Sequence, residues 1–330
     1  MEQLYNSPKY KEAKTSRGYT YRYYFTKPAV SSKPTLLFVH GFPSYSAHWI
    51  HQIAFFEAEG FGLVVPDMLG YGGTSVPTQV EAFGHSLQAK DLVEILDAED
   101  LKSNVIAIGH DWGSITVSRL ANLYQDRFLG FVFIAVGYAA PNTSFSYEQI
   151  KAAWNQVAGY ESIGYWSFFS SPEAEGLIKK HAKSFSDILW AKDPAAYKWA
   201  FCPSGSLQKF LETDSSVPRA TYISNEDIKA TEEIHFKKGF SGPLAYYKLE
   251  TSGLGLEDSK SIPVENYTIA KPVLFIAAAQ DAVAIPVLME QSLHKYCTNS
   301  SQKTVVTGHW AFLEAADEVN SLIHDWAKKL

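Results

Sequence analysis

The chain has 330 residues, of which 46% are hydrophobic and 19% charged, and its formal net charge is −6. This composition excludes a disordered chain and is typical of a globular protein with a sizeable core. No run of lysine or arginine is present that would attract nucleic acid or an anionic membrane surface.

The first 140 residues alternate short apolar runs with helical or turn segments. The clearest predicted helix extends from about Ser86 to Asp97, with its leucine, valine and isoleucine residues on one face. The predicted strands are GYTYRYYF, TLLFVH, LVVPD, NVIAIGH and FVFIAV. This alternation is typical of a parallel sheet whose strands are connected by crossover helices.

The pattern changes between about residues 143 and 265, where helical segments rich in Trp, Tyr and Phe replace the strands. The run KPVLFIAAA then resumes the strand pattern, and a helix near 286–296, a short strand KTVV and a helix from about Ala311 follow. An interrupted and resumed sheet predicts a core formed by residues 1–140 and 266–330. Residues 141–265 are then a helical cap over the carboxyl ends of the strands.

The segment AIGHDWGSIT, residues 107–116, places Asp111 between Gly109 and Gly113, after a predicted strand and before a predicted helix. Such a turn exposes its central side chain as a nucleophile. A carboxylate is already anionic at neutral pH and is suited to attack a saturated carbon, which leaves an alkyl ester on the enzyme. The alternative role for Asp111 is that of a helix N-cap.

Hydrolysis of that ester requires a base, and the sequence offers an acid and a histidine in the order expected after the nucleophile. Asp281 directly follows the predicted strand KPVLFIAAAQ, and His309 lies in VVTGHWAF, between the last strand and the last helix. His309 would deprotonate water while Asp281 orients the ring and stabilises the imidazolium. The alternatives are a turn or cap role for Asp281 and a helix-start role for His309.

The segment HGFP, residues 40–43, follows the predicted strand TLLFV. A loop in this position supplies backbone donors for a developing oxyanion, and the candidates are the N–H groups of Phe42 and Trp112. An ordinary Gly/Pro turn is the alternative. The Trp112 side chain is expected to form a wall of the pocket, to direct its indole N–H at a leaving group, or only to pack.

These motifs together resemble those of the soluble epoxide hydrolases of the α/β-hydrolase fold. The matching segments are HGFP, PDMLGYGGTS at 66–75, GHDWGS, AAAQDAV and TGHW, which occur in the family's order and spacing. The resemblance implies an α/β-hydrolase fold with an inserted cap. Haloalkane, haloacid and fluoroacetate dehalogenases share the aspartate nucleophile and much of the core, so a dehalogenase is the alternative function.

The resemblance also implies two tyrosines in the cap that donate hydrogen bonds or protons to the epoxide oxygen. The segment IGYWSFFSSPEAE places Tyr165, and GPLAYYKLE places Tyr247, with Tyr246 as the alternative second acid because Ala245 and Lys248 depart from the family pattern. The cap aromatics predict an apolar pocket. We expect the substrate to contact Trp112, Tyr165, Trp166 and Tyr247.

The sequence therefore predicts an enzyme that converts a small epoxide and water to a vicinal diol, without a metal or organic cofactor. The two cysteines, Cys202 and Cys297, have neither the number nor the spacing of a disulfide framework or a metal site. A serine esterase is disfavoured because no Gly-x-Ser-x-Gly occurs, and a non-catalytic receptor because the three catalytic types are all present. We expect a cytoplasmic monomer or homodimer, with the C-terminal AKKL leaving a peroxisomal location as the alternative.

Overall fold

The computed structural model describes residues 1–330, with the exception of the Phe236 side chain. A single eight-stranded sheet has the order β1-β2-β4-β3-β5-β6-β7-β8. The strands are β1 Tyr10–Lys14, β2 Thr20–Thr26, β3 Thr35–Val39, β4 Gly62–Pro66, β5 Val105–His110, β6 Phe128–Ile134, β7 Val273–Ala278 and β8 Ser300–Val305. Strand β2 pairs antiparallel with β1 and β4, and all other neighbours are parallel.

The helices fall into two groups. Those that flank the sheet are α1 Glu2–Tyr5, α2 Ile50–Ala58, α3 His85–Ala98, α4 Trp112–Tyr124, α13 Pro286–Tyr296, α14 Ala311–Glu314 and α15 Ala316–Ala327. Those inserted between β6 and β7 are α5 Tyr147–Ala158, α6 Tyr165–Phe169, α7 Ala174–Lys180, α8 Ala182–Leu189, α9 Ser206–Glu212, α10 Asn225–Lys238, α11 Ser241–Thr251 and α12 Leu254–Lys260. Among the described residues, none of these helices combines the length and apolarity that a membrane span requires.

The burial of the strands follows their sequences. Every residue of β3, β5 and β7 is buried, as expected for parallel strands covered by helices on both faces. At the two edges, β1 (YKEAK) and β8 (SSQKTV) are polar and largely exposed, which discourages pairing with another sheet. The prediction of a mostly parallel α/β fold with an inserted helical segment is confirmed. The domain boundaries at residues 140 and 265 stay a prediction.

Hydrogen bonds attach the inserted helices to the core. From α11, the Tyr246 hydroxyl shares its single proton between the Leu69 carbonyl at 3.0 Å and Gln88 Oε1 at 2.7 Å. From α12, Asp258 accepts the backbone N–H of Ser86 at 3.0 Å, and so satisfies a free donor in the first turn of α3. The inserted segment is thereby held over the carboxyl ends of the strands.

Replacement of Tyr246 by Phe tests this attachment. The variant leaves two buried acceptors without their donor, so we expect the free energy of unfolding to fall by about 1–3 kcal/mol. Urea denaturation monitored by circular dichroism measures the change. Tyr296→Phe, whose hydroxyl makes no hydrogen bond to the described residues, is the matched control and should stay within about 0.5 kcal/mol of the parent. Equal stability of the two variants would contradict the assignment.

Candidate active site

Asp111 occupies the sharp turn between β5 and α4. Its backbone has φ 53° and ψ −129°, a conformation that non-glycine residues rarely adopt and that costs on the order of 1–3 kcal/mol. A Cβ atom on Gly109 would lie 2.6 Å from Ser114 Cα, and one on Gly113 would collide with the Val39 carbonyl. The two glycines are therefore what allows the chain to turn this tightly. Within the described chain, the Asp111 side chain makes no capping hydrogen bond to α4.

The loop after β3 approaches the Asp111 carboxylate from the neighbouring strand. The Phe42 N–H donates to Asp111 Oδ1 at 2.7 Å, and the Trp112 N–H also stabilises the carboxylate. A Cβ atom at Gly41 would collide with Asp111 Oδ1, so only glycine permits this approach. The two N–H groups that the sequence nominates as oxyanion donors thus both interact with the Asp111 carboxylate.

Asp281 and His309 form a buried pair beside Asp111. His309 Nδ1 donates to Asp281 Oδ2 at 2.7 Å, while Asp281 Oδ1 accepts the N–H groups of Val283 and Ala284 at 2.7 and 3.0 Å. On the other side of the imidazole ring, His309 Nε2 lies 3.6 Å from Asp111 Oδ2. The structure therefore brings together the three residues predicted as nucleophile, acid and base.

Burial and charge act in opposite directions on this triad. Burial opposes ionisation of Asp281, but the charge and hydrogen bond of His309 and two backbone donors outweigh it, and the Asp281 pKa is lowered. Burial likewise opposes the charged form of His309, yet Asp281 and Asp111 outweigh it and raise the His309 pKa. For Asp111 burial dominates, and its pKa is raised above 3.8 despite His309 and the Phe42 and Trp112 donors. The charges of Asp281 and Asp111 thus stabilise the imidazolium that His309 becomes when it accepts a proton.

Two further histidines support the site from below. His40 Nε2 accepts the Met68 N–H at 2.9 Å, so Nδ1 carries the proton and donates to the Gly41 carbonyl at 2.9 Å. Burial lowers the pKa of His40 to about 4 and that of His110 to about 3. His110 Nε2 donates to the His309 carbonyl at 2.8 Å. Both rings are neutral at physiological pH and hold the loops rather than exchange protons.

Tyr165 and Tyr247 reach the site from the inserted helices α6 and α11. Their ring centroids lie 5.8 Å apart, and Tyr247 packs edge-on against Phe42 with a centroid distance of 5.0 Å. Burial, followed by neighbouring groups that include the Asp111 charge, raises the pKa of both phenols, so both remain protonated. The adjacent Tyr246 is committed to its hydrogen bonds with the core. Geometry therefore places Tyr247, and not Tyr246, at the site.

Three cavities meet around these residues. The central chamber has a volume of about 10 Å³ and is lined by Phe42, Asp111, Tyr165, Leu189, Tyr197, Phe201, Tyr247, Val283, His309 and Trp310. An apolar pocket of about 70 Å³ adjoins it and is lined by Asp111, Trp112, Ile115, Val136, Trp154, Ile163, Tyr165, Trp166, Val283, Ala284 and Met289. The third cavity, lined in part by Asp281 and His309, has a volume of about 10 Å³.

The apolar pocket contains Trp112 and Trp166, which the sequence nominates as substrate contacts. Their ring centroids are 5.0 Å apart, and Trp154 also lines the pocket. Two other tryptophans of the insert lie elsewhere, since Trp190 packs on Trp310 with a centroid distance of 4.6 Å and Trp199 is 60% exposed. Sequence reasoning missed the aliphatic lining residues Ile115, Val136, Ile163 and Met289. Nothing in the sequence distinguishes such residues from ordinary core positions.

Replacement of Asp281 by Asn tests the electrostatic account of the pair. The substitution removes the negative charge that raises the His309 pKa but leaves the burial that lowers it, so we expect that pKa to fall. An NMR pH titration of the His309 ring signals measures it. Asp317→Asn, on an exposed position of α15, serves as the control that leaves the His309 pKa in place. An unchanged or higher value in Asp281→Asn would contradict the account.

The geometry agrees with what comparison with known proteins reveals. A family model described as alpha/beta hydrolase fold matches residues 34–316. The chain is 25% identical to epoxide hydrolase srdG of Neurospora crassa, with 95% of this chain and 93% of that protein covered. It is 27% identical to bifunctional epoxide hydrolase 2 of Mus musculus, where 90% of this chain matches 52%, about half, of that protein. The solved structure of epoxide hydrolase A from Mycobacterium thermoresistibile superposes with a TM-score of 0.80 at 24% identity, covering 97% of this chain and 98% of that one. This chain belongs to the α/β-hydrolase-fold family.

Proposed function

We propose that this chain is an epoxide hydrolase that forms vicinal diols through a covalent ester on Asp111. The observation that carries the proposal is the central chamber, in which one carboxylate faces a histidine–aspartate pair and two protonated phenols. The similarity to proteins named epoxide hydrolases over nearly the whole chain supports it. A serine or cysteine nucleophile is not needed because the carboxylate is itself the attacking group.

The first step opens the oxirane. Asp111 Oδ1 is already held by the Phe42 N–H, so Oδ2 is the oxygen that attacks the ring carbon. As the carbon–oxygen bond of the ring breaks, negative charge develops on the departing oxygen, which stays attached to the substrate. Tyr165 and Tyr247 donate hydrogen bonds to this oxygen, and one of them gives up its proton. An ester and a neighbouring hydroxyl result.

The second step hydrolyses the ester. His309 removes a proton from water, and the hydroxide adds to the Asp111 carbonyl carbon; Asp281 stabilises the imidazolium that forms. The developing oxyanion on Oδ1 receives the N–H groups of Phe42 and Trp112, which are in place before the reaction. Collapse of the tetrahedral intermediate expels the diol oxygen, which takes the proton from His309. The hydrolysed Asp111 carboxyl group then returns its proton to the phenolate formed in the first step, so that both groups regain their starting states. One oxygen of the diol therefore comes from the Asp111 carboxylate.

The phenols decide between this reaction and the dehalogenase alternative. A halide leaves as a stable anion and needs only N–H donors, whereas an alkoxide is a poor leaving group that benefits from an acid. Two phenols whose raised pKa values keep them protonated beside Asp111 suit the second task. The apolar pocket with Trp112 and Trp166 holds the carbon skeleton of the epoxide. A cytoplasmic location and a monomeric or dimeric state are also inferred, from the sequence alone.

Replacement of His309 by Gln tests the covalent step. Without the base, the ester should accumulate, because attack by Asp111 does not require His309. Intact-protein mass spectrometry after mixing with styrene oxide should show a mass increase equal to one substrate molecule. Asp111→Asn is the control and should form no adduct. Absence of an adduct in a folded His309→Gln protein that binds the epoxide would remove Asp111 from its role.

Replacement of both Tyr165 and Tyr247 by Phe tests the acids. Loss of both donors should slow alkylation by on the order of 10²–10⁴-fold, since the alkoxide must then leave unassisted. Rapid-quench measurement of ester formation in single turnover gives this rate directly. Tyr296→Phe, on α13 and outside the lining of the three cavities, is the control, and its alkylation rate should equal that of the parent. Alkylation at the parental rate in the double variant would exclude the two phenols as acids.

A further inference from the structure

The third cavity lies behind His309 and has more polar walls than the apolar pocket; we call it the water chamber. It has a volume of about 10 Å³, room for about one water molecule. Its walls are formed by Ala191, Pro194, Tyr197, Tyr222, Asp281, Ala282, Gly308, His309, Trp310 and Glu314. We propose that the water molecule that hydrolyses the ester enters through this chamber, by a route separate from that of the substrate. The proposal rests on the proposed function, and it adds a second ligand site to the same centre.

The three cavities are arranged in series. The apolar pocket and the central chamber share Asp111, Tyr165 and Val283, whereas the central chamber and the water chamber share Tyr197, His309 and Trp310. The apolar pocket and the water chamber have no lining residue in common. Asp111, the nucleophile, therefore lies where the apolar pocket meets the central chamber. His309, the base, lies where the water chamber meets the central chamber.

The chemistry of the walls differs between the two ends. Beside Asp111 and the Tyr165 phenol, the apolar pocket is lined by aliphatic residues and tryptophans. The water chamber contains the carboxylates of Asp281 and Glu314, the His309 ring and two phenols. Water occupies cavities that offer it several polar partners, whereas apolar cavities stay dry. The water chamber is the one of the two that water would fill.

Glu314 forms the outer end of the water chamber. Its side chain is half-buried, and Oε2 accepts the Gly308 N–H at 3.0 Å, directly beside His309. A carboxylate at this position offers water a charged acceptor at the surface and a path along the Gly308–His309 backbone toward the ring. Ala191 and Ala282 are small and leave the interior of the chamber open.

The covalent intermediate explains why a second route is useful. Once the ester has formed, the carbon skeleton fills the apolar pocket, and its new hydroxyl lies beside Tyr165 and Tyr247. Water from the substrate side would then have to pass the ester itself. From the water chamber, a molecule reaches the ring of the base that must activate it and the ester carbonyl beyond it.

Replacement of Ala191 by Leu, which puts a larger side chain into the water chamber, tests the inference. Single-turnover rapid quench with styrene oxide follows the ester by intact mass and the diol by chromatography. We expect hydrolysis of the ester to slow at least 10-fold while alkylation keeps the parental rate, so that ester accumulates. Ala195→Leu, an exposed position on the same turn, should leave both rates unchanged. Ala284→Leu, which narrows the apolar pocket, should show the reverse pattern and slow alkylation.

A second variant guards against misfolding of the first. Glu314→Leu makes the outer end of the water chamber apolar and should also slow hydrolysis of the ester without slowing alkylation. Glu314→Gln keeps a polar group there and should have a smaller effect. Parental hydrolysis rates in both Ala191→Leu and Glu314→Leu, or equal slowing of both steps, would overturn the separate water route. Formation of the ester in His309→Gln does not require water, so failure of the water route is distinguishable from failure of the proposed function.

Discussion

The close contact between the Phe42 N–H and Asp111 Oδ1 is the constraint on which the rest of the site depends. It requires three backbone features at once: a positive φ at Asp111, glycines at 109 and 113 on either side of it, and a glycine at 41 that lets the neighbouring loop approach. Neighbouring parallel strands β3 and β5 end side by side and bring the two turns together. The contact orients the nucleophile and prepares the oxyanion donors before any substrate is present.

The same contact helps to keep the buried Asp111 carboxylate ionised. Burial alone would drive Asp111 towards its neutral form, which cannot attack carbon. Backbone N–H groups and the neighbouring His309 act against that tendency. Asp281 is stabilised more completely, with three hydrogen bonds, and so its pKa is lowered although it is buried among the same residues. The two aspartates therefore differ in reactivity because their hydrogen bonds differ.

The sequence predicted the parts of this arrangement that depend on local pattern. The residue pattern alone reveals the glycine spacing around Asp111, the apolar strands and the chain order of Asp281 and His309. These features predict the fold and the three residues of the triad. The charged strand YKEAK was missed because an edge strand with exposed side chains lacks the apolar signal of a buried one. Two findings depend on contacts between distant segments, which a local sequence pattern does not contain. One is the choice of Tyr247 over Tyr246, and the other is that Ile115, Val136 and Met289 line the pocket.

The adjacent residues Tyr246 and Tyr247 of α11 have different roles, one as an anchor to the core and the other as an acid. This difference bears on how the enzyme loses activity on heating. Successive helical residues point about 100° apart, so Tyr246 faces Leu69 and Gln88 while Tyr247 faces the reacting groups. A rotation or fraying of this one turn that breaks the anchor also withdraws the acid. Heat inactivation should thus begin with local unfolding of α11, before the sheet unfolds cooperatively. Substitutions that raise thermal stability are best sought where α11 contacts Leu69 and Gln88.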